Sequence, residues 1–422
     1  MIAKLWTCGI VTLLAAGYRA RLEVPAPGGT DLPVTRTTVA EVTPAVAPAN
    51  PIVEIAICLD TSGSMNGLID AARQKLWGIV NEFVFADPQP RLRVALLTYG
   101  NDGHSEENGW VKLETELTED LDLVSKLLFE QTTNGGTEYV GRVVSAATRQ
   151  LHWSTAAGAL KLIVVAGNEG ADQDQSVRYD EASRAAIAAD ILVNALYCGP
   201  ANHADAQAWR QVALLADGQF AAIDHNAGTL VVESPFDVQL STLSTALNGT
   251  YLPFGEQGAW NLGNQQAQDL NAAGLNGEAA ASRAFCKANG LYNCATWDLV
   301  DALHAGTLVL ADVKTEELPE QMRSMTLEER QAHIARKGAQ RVELQTQVNQ
   351  LATQRQAFVE AEMKKRSLDE SKSFDHAIRQ AVRGQAEAKG YRFPKVPAPT
   401  PAPTLTPAKE ASPSTSQTIG SC

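Results

Sequence analysis

Asp60, Ser62 and Ser64 stand at alternate positions in the run Asp60-Thr-Ser-Gly-Ser-Met65. One carboxylate and two hydroxyls at that spacing put three hard oxygens on one short loop. Hard oxygens select Mg²⁺, Mn²⁺ or Ca²⁺ over zinc. Hydroxyls are weak ligands, so such a loop leaves room for water or for a carboxylate brought by a partner. A plainer alternative exists: Ser and Asp are preferred helix N-caps, and the loop could simply cap the helix that follows. Thr137 ends the run Thr132-Thr-Asn-Gly-Gly-Thr137, ahead of a second expected helix, and offers a further hydroxyl.

The elements around these residues decide whether they meet. Ile52 to Leu59, IVEIAICL, is an almost unbroken apolar run, as in a strand buried on both faces. Further strands are expected over residues 91–99, 110–117, 160–166, 191–198 and 219–223. Helical spacing marks residues 70–86, 140–153, 176–189 and 204–216. Strands alternating with helices of this length predict an α/β fold, a doubly wound and mostly parallel sheet covered on both faces. The Asp60 loop then lies at the carboxyl edge of the sheet, where open α/β sheets bind ligands.

The flanking segments complete the organisation. Lys4 precedes a mainly apolar run of 13 residues that closes on Ala15 and Gly17. This fits a secretory signal peptide over 1–20 and predicts an exported protein of the periplasm, envelope or exterior. A Pro/Thr-rich linker is expected over 21–50, the α/β domain over 51–250 and a mainly α-helical region over 251–393. A disordered Pro/Ser/Thr-rich tail is expected over 394–422. Within the helical region, residues 256–290 are poor in large apolar groups. Leu344, Val348, Leu351 and Phe358 mark one side of a long helix over 326–366, which could enter a coiled coil or fold back on residues 374–386. Cys286 and Cys294 flank an Asn-Gly turn, and an oxidising compartment would favour a disulfide between them.

The pattern Asp60-x-Ser62-x-Ser64 after a buried strand, with Thr137 on a later loop, resembles the von Willebrand factor A domain family. The resemblance runs over residues 51–250. It implies a metal-ion-dependent adhesion site (MIDAS) built from Asp60, Ser62, Ser64 and Thr137. The family usually adds an Asp after the fourth strand. Here Val165 is followed by Ala166-Gly-Asn-Glu169, which leaves Asn168 as the candidate fifth ligand and ranks Glu169 below it. With Asp60 as the only anion, a divalent ion keeps about one uncompensated positive charge, which favours an incoming acid and predicts weak metal affinity without one. A narrower resemblance, to exported bacterial proteins with this domain and a helical C-terminal region, covers residues 51 to 393. It rests on Tyr99-Gly-Asn-Asp102, Thr133-Asn-Gly-Gly-Thr-Glu-Tyr139, Asn248-Gly-Thr-Tyr251-Leu-Pro-Phe254, Gln268-Asp269 and Trp297-Asp-Leu-Val-Asp301.

Other chemistries fit less well. The chain has 35 Lys plus Arg against 48 Asp plus Glu, a net charge of −13, which argues against a nucleic-acid partner. No glycine-rich phosphate loop follows a strand, and no H-E-x-x-H or G-x-S-x-G is present. A haloacid-dehalogenase-like phosphatase needs a second carboxylate where Ser62 stands. The expected function is therefore non-enzymatic binding through Mg²⁺ (or Mn²⁺/Ca²⁺) of a protein or glycan partner with an exposed carboxylate, with no membrane span in the mature chain. The alternatives are a metal-dependent hydrolase using Glu138 or Glu169 as base, and a scaffold with a vestigial site.

Overall fold

The apolar run after Pro51 forms strand β1 (Ile52–Asp60), which becomes the centre of a six-stranded sheet. A computed structural model describes residues 51–223, 231–367 and 374–393. The signal peptide, the linker and the tail expected from the sequence lie outside the described residues. β2 (Arg91–Tyr99), β4 (Leu160–Gly167), β5 (Leu192–Tyr197) and β6 (Phe220–Ala222) run parallel to β1, and β3 (Val111–Thr118) closes one edge antiparallel to β2. The strand order is β3-β2-β1-β4-β5-β6. The winding therefore reverses between β1 and β4, and the carboxyl ends of those two strands are where open α/β sheets place their ligand crevice.

Alternation along β1 divides the core. Val53, Ile55, Ile57 and Leu59 join the cluster under α1 (Asn66–Glu82) and α2 (Leu121–Glu130). Ala56 and Cys58 face the cluster under α3 (Val140–Gln150), α4 (Tyr179–Ala188) and α5 (Ala206–Leu214). Both faces are apolar because both are covered, the reason these strands read as runs rather than alternations. α2 was not expected from the sequence. Asp120 caps it, accepting from the Leu123 N–H at 2.9 Å.

The remaining helices are α6 (Asp237–Asn248), α7 (Gly258–Leu275), α8 (Gly277–Lys287), α9 (Leu299–His304), α10 (Leu327–Arg366) and α11 (Phe374–Ala388). α6 packs on α8 and α10 through Leu240, Leu247, Ala281, Ala284, Val348 and Leu351, so the helical region begins before residue 250. That seam also accounts for the apolar side of the long helix. α10 spends it within this molecule, with Phe358 against Phe236 at 6.3 Å. α11 does not fold back on α10 but packs against α1, β4 and β5. Its Gln385 exchanges amide hydrogen bonds with Asn194 of β5 at 2.8 and 2.9 Å.

Residues 256–290 are helical although poor in large apolar groups. Their burial rests on small residues (Ala279, Ala280, Ala281, Ala284) and on polar pairing. Arg283 of α8 is 1% exposed and pairs with Asp122 of α2 at 2.6 Å and Asp269 of α7 at 3.0 Å. Its guanidinium lies 4.4 Å over the Trp77 ring of α1. Lys287 pairs with Asp269 at 2.6 Å. Two acids and two bases thus balance at the seam between the α/β layer and the helices. Asn81 and Lys75, polar residues of α1, are also spent there, on the Ser282 carbonyl and on Glu278. Cys286 and Cys294 are buried free thiols, not a disulfide. Cys286 sits within α8 and Cys294 lies beyond the turn at Asn289, where its N–H is held by Asp301. No helix among the described residues is long and apolar enough to cross a membrane.

Candidate metal centre

β1 delivers Asp60 to the crevice with its side chain fully buried. Asp60 Oδ1 accepts from the Ser62 N–H at 2.8 Å, which turns the chain back over the carboxylate. Ser62 and Ser64 then place their hydroxyl oxygens 3.4 Å apart. The capping alternative does not hold. α1 begins at Asn66 after Met65, and no side chain caps it. The loop's oxygens are left for another use.

The second loop is held against the first by its backbone. Gly63 N–H donates to the Gly135 carbonyl at 3.0 Å, and Asn134 N–H donates to the Thr61 carbonyl at 3.0 Å. Asn101 bridges both loops, donating to the Thr61 and Thr132 carbonyls at 3.2 and 2.9 Å. Thr137 pairs through its backbone with Gly100, just past the end of β2. Gly100 has φ +78°, and a Cβ there would stand 2.9 Å from both Asp60 Oδ1 and Glu138 Cγ. A glycine is thus required for the two acids to close on the same spot.

β4 brings the third piece. Tyr99 donates its hydroxyl to the Ala166 carbonyl at 3.0 Å, locking β4 to the end of β2. Asn168 follows Gly167 and donates through Nδ2 to Ser64 Oγ at 3.0 Å, while its Oδ1 is buried without a partner. Glu169 is exposed, and its backbone carbonyl is taken by Trp209 Nε1 at 2.7 Å. The structure therefore brings Asp60, Ser62, Ser64 and Asn168 together at the switch point, sets the backbone of Thr137 beside Gly100 at the end of β2, and leaves Glu169 exposed.

Glu138, a candidate base in the hydrolase alternative, is the residue that the metal-site pattern does not place here. It is buried at 4% exposure beside Asp60, so Asp60 is not the lone acid expected from the sequence. No spacing rule marks it: it follows Thr137 directly, and only the turn into α3 aims it inward. Burial pushes Asp60 up to about 6 despite the hydrogen bonds it accepts. Burial, then the charge of Asp60, pushes Glu138 up to about 9.

Three carboxyl or amide oxygens here are buried and unpartnered: Asp60 Oδ2, Glu138 Oε2 and Asn168 Oδ1. Buried acceptors without donors are costly and rare unless water or an ion meets them. Among the described residues no group of three or more His, Cys, Asp or Glu is arranged to hold a metal. A cation here would draw on hydroxyl and amide oxygens beside two carboxyls, a hard donor set suited to Mg²⁺, Mn²⁺ or Ca²⁺.

Residues 54–232 match the family model of the von Willebrand factor type A domain. Solved structures to which the chain is similar include a von Willebrand factor type A protein from Catenulispora acidiphila, 18% identical over 41% of this chain and 39% of that one, with a TM-score of 0.32. The pilus adhesin SpaC from Lactobacillus rhamnosus GG is 15% identical over 42% of this chain and 28% of that one, with a TM-score of 0.33. Proximal thread matrix protein 1 from the mussel byssus, solved with a zinc-occupied MIDAS motif, is 14% identical over 42% and 43% of the two chains, with a TM-score of 0.33. The chain spans less than half the length of each of these three. A search of curated proteins returned no match.

Proposed function

We propose that this chain, whose residues 54–232 form a von Willebrand factor type A domain, is a metal-dependent binding protein that acts outside the cytoplasm. Asp60, Ser62, Ser64, Thr137 and Asn168 hold one Mg²⁺, with Mn²⁺ or Ca²⁺ as substitutes. The observation that carries this reading is the set of unpartnered oxygens of Asp60, Glu138 and Asn168 beside the Ser62 and Ser64 hydroxyls at the sheet's switch point. The bound ion supplies a Lewis-acidic point of contact for a hard anionic oxygen. The chain's own part is to aim the Asp60 carboxylate and the two serine hydroxyls inward and to keep Ser64 exposed at the crevice mouth. The partner is a protein or glycan that presents a carboxylate there. Arg283 joins the helical region to α1 and α2 of this domain.

The test is a pull-down with immobilised acidic ligands, a carboxylate-bearing peptide and a uronate glycan, in millimolar Mg²⁺ or in chelator. Capture by the wild type in metal, lost in chelator and lost in Asp60→Ala, is the expected result. Capture that survives both losses would refute a metal-mediated contact.

A further inference from the structure

Glu138 is an acid that the centre has but the family's motif, as carried by this sequence, does not call for. Its residue is 4% exposed, yet Oε2 is buried without a hydrogen-bond partner. Its Cγ and Asp60 Oδ1 both lie 2.9 Å from the place a Cβ on Gly100 would take, so the two side chains converge over that glycine. Asp60 Oδ2 is unpartnered in the same way. Two buried carboxyls facing one another need either a shared proton or a cation between them.

We propose that Glu138 is the second carboxylate ligand of the cation, supplying the charge that Asn168 cannot. The proposal rests on the metal-dependent reading above and makes it more specific. Asp60 and Glu138 together carry two negative charges, so a divalent ion bound between them is balanced by the chain itself. The ion is then retained without a partner, in contrast to the weak affinity expected from one acid. A partner's carboxylate meets a neutral centre and competes with Glu138 for the ion. Glu138 thereby lowers affinity for the partner's acid while it raises affinity for the metal.

The opposite signs of those two effects make the test. The full chain is titrated calorimetrically with Mn²⁺, and then the Mn²⁺-saturated protein with acetate, as wild type, Asp60→Ala, Glu138→Gln and Glu138→Gln/Asn168→Asp. Loss of one charged ligand in Glu138→Gln weakens Mn²⁺ binding by about tenfold or more, and Asn168→Asp in that background restores most of it. Acetate binds the Mn²⁺-saturated Glu138→Gln protein more tightly than the wild type. Wild-type Mn²⁺ affinity in Glu138→Gln would overturn the proposal and mark the two carboxyls as a proton-sharing pair. No Mn²⁺ binding by the wild type would instead overturn the metal-dependent reading itself. Should Glu138→Gln fail to fold by circular dichroism, Asn168→Asp alone decides. A change of less than about threefold supports Glu138 as the balancing acid, and a gain of about tenfold or more overturns it.

Discussion

Replacing Arg283 by Met removes the cation at the seam between the α/β layer and the helices while keeping most of the side chain's volume. Arg283 meets Asp122 at 2.6 Å and Asp269 at 3.0 Å, and stacks over Trp77 at 4.4 Å. Asp269 keeps Lys287 at 2.6 Å after the substitution, so Asp122 is left buried with, among the described residues, the Tyr292 hydroxyl as its side-chain donor. Breaking a buried pair from one side costs about 3–5 kcal/mol, and the lost cation–π contact falls within that range. With a urea slope of about 3 kcal/mol/M, the midpoint drops by about 1–1.7 M. The assay is equilibrium urea unfolding followed by circular dichroism and by tryptophan fluorescence, with coincident wild-type transitions as the check on two-state behaviour. Adding Asp122→Asn removes the orphaned charge and should recover about half of the loss or more. A loss below about 1 kcal/mol, or no recovery in the double variant, would refute the view that this cluster joins the two parts.

Three further outcomes are expected. Gly100→Ala forces a side chain into a left-handed position already crowded by Asp60 and Glu138, and should cost about 1–3 kcal/mol and weaken Mn²⁺ binding, read by thermal unfolding with and without metal; an unchanged midpoint and affinity would contradict the close approach. Asp60 is held up to about 6 in the fold, above its unfolded value, so its contribution to metal-free stability is present below the unfolded value and lost as pH rises through the folded one. Metal-free Asp60→Asn should therefore gain stability relative to wild type between pH 4 and pH 7, and a flat difference in urea midpoints across about that interval would contradict it. Burial pushes the Cys286 thiol up to about 12 and the Cys294 thiol well above its ordinary value, so neither should react with iodoacetamide in the native protein at neutral pH and both should react in urea; native labelling, or a disulfide between them by peptide mapping, would refute the packing.

The sheet and half of the site could be read from the chain because both depend on local pattern. β1 and β4 are apolar runs since each is sandwiched between helices, and the oxygens of Asp60, Ser62 and Ser64 sit two residues apart on one loop. What escaped depends on contacts distant in sequence. α7 and α8 bury alanine and paired charges rather than leucine, so periodicity of large apolar residues passed over them. Lys75, Asn81 and Asp122 look like a solvated face until α8 is set against them. The side of α10 marked by Leu344, Val348 and Leu351 suggested a partner helix, and its partners are α6 and α8 of the same chain. Glu138 follows a recognised threonine, but only the meeting of β2's end with the Thr137 loop shows that it turns toward Asp60.

The proposed function requires a divalent cation between the Asp60 loop and the ends of β2 and β4. Anomalous diffraction from crystals of the full chain grown in Mn²⁺ tests it most directly. The expected result is a manganese peak within bonding distance of the Asp60 carboxylate and the Ser62 and Ser64 hydroxyls, with Glu138 Oε2 beside it, and no peak in Asp60→Ala. A crevice without manganese in wild-type crystals, or a peak that persists unchanged in Asp60→Ala, would contradict it.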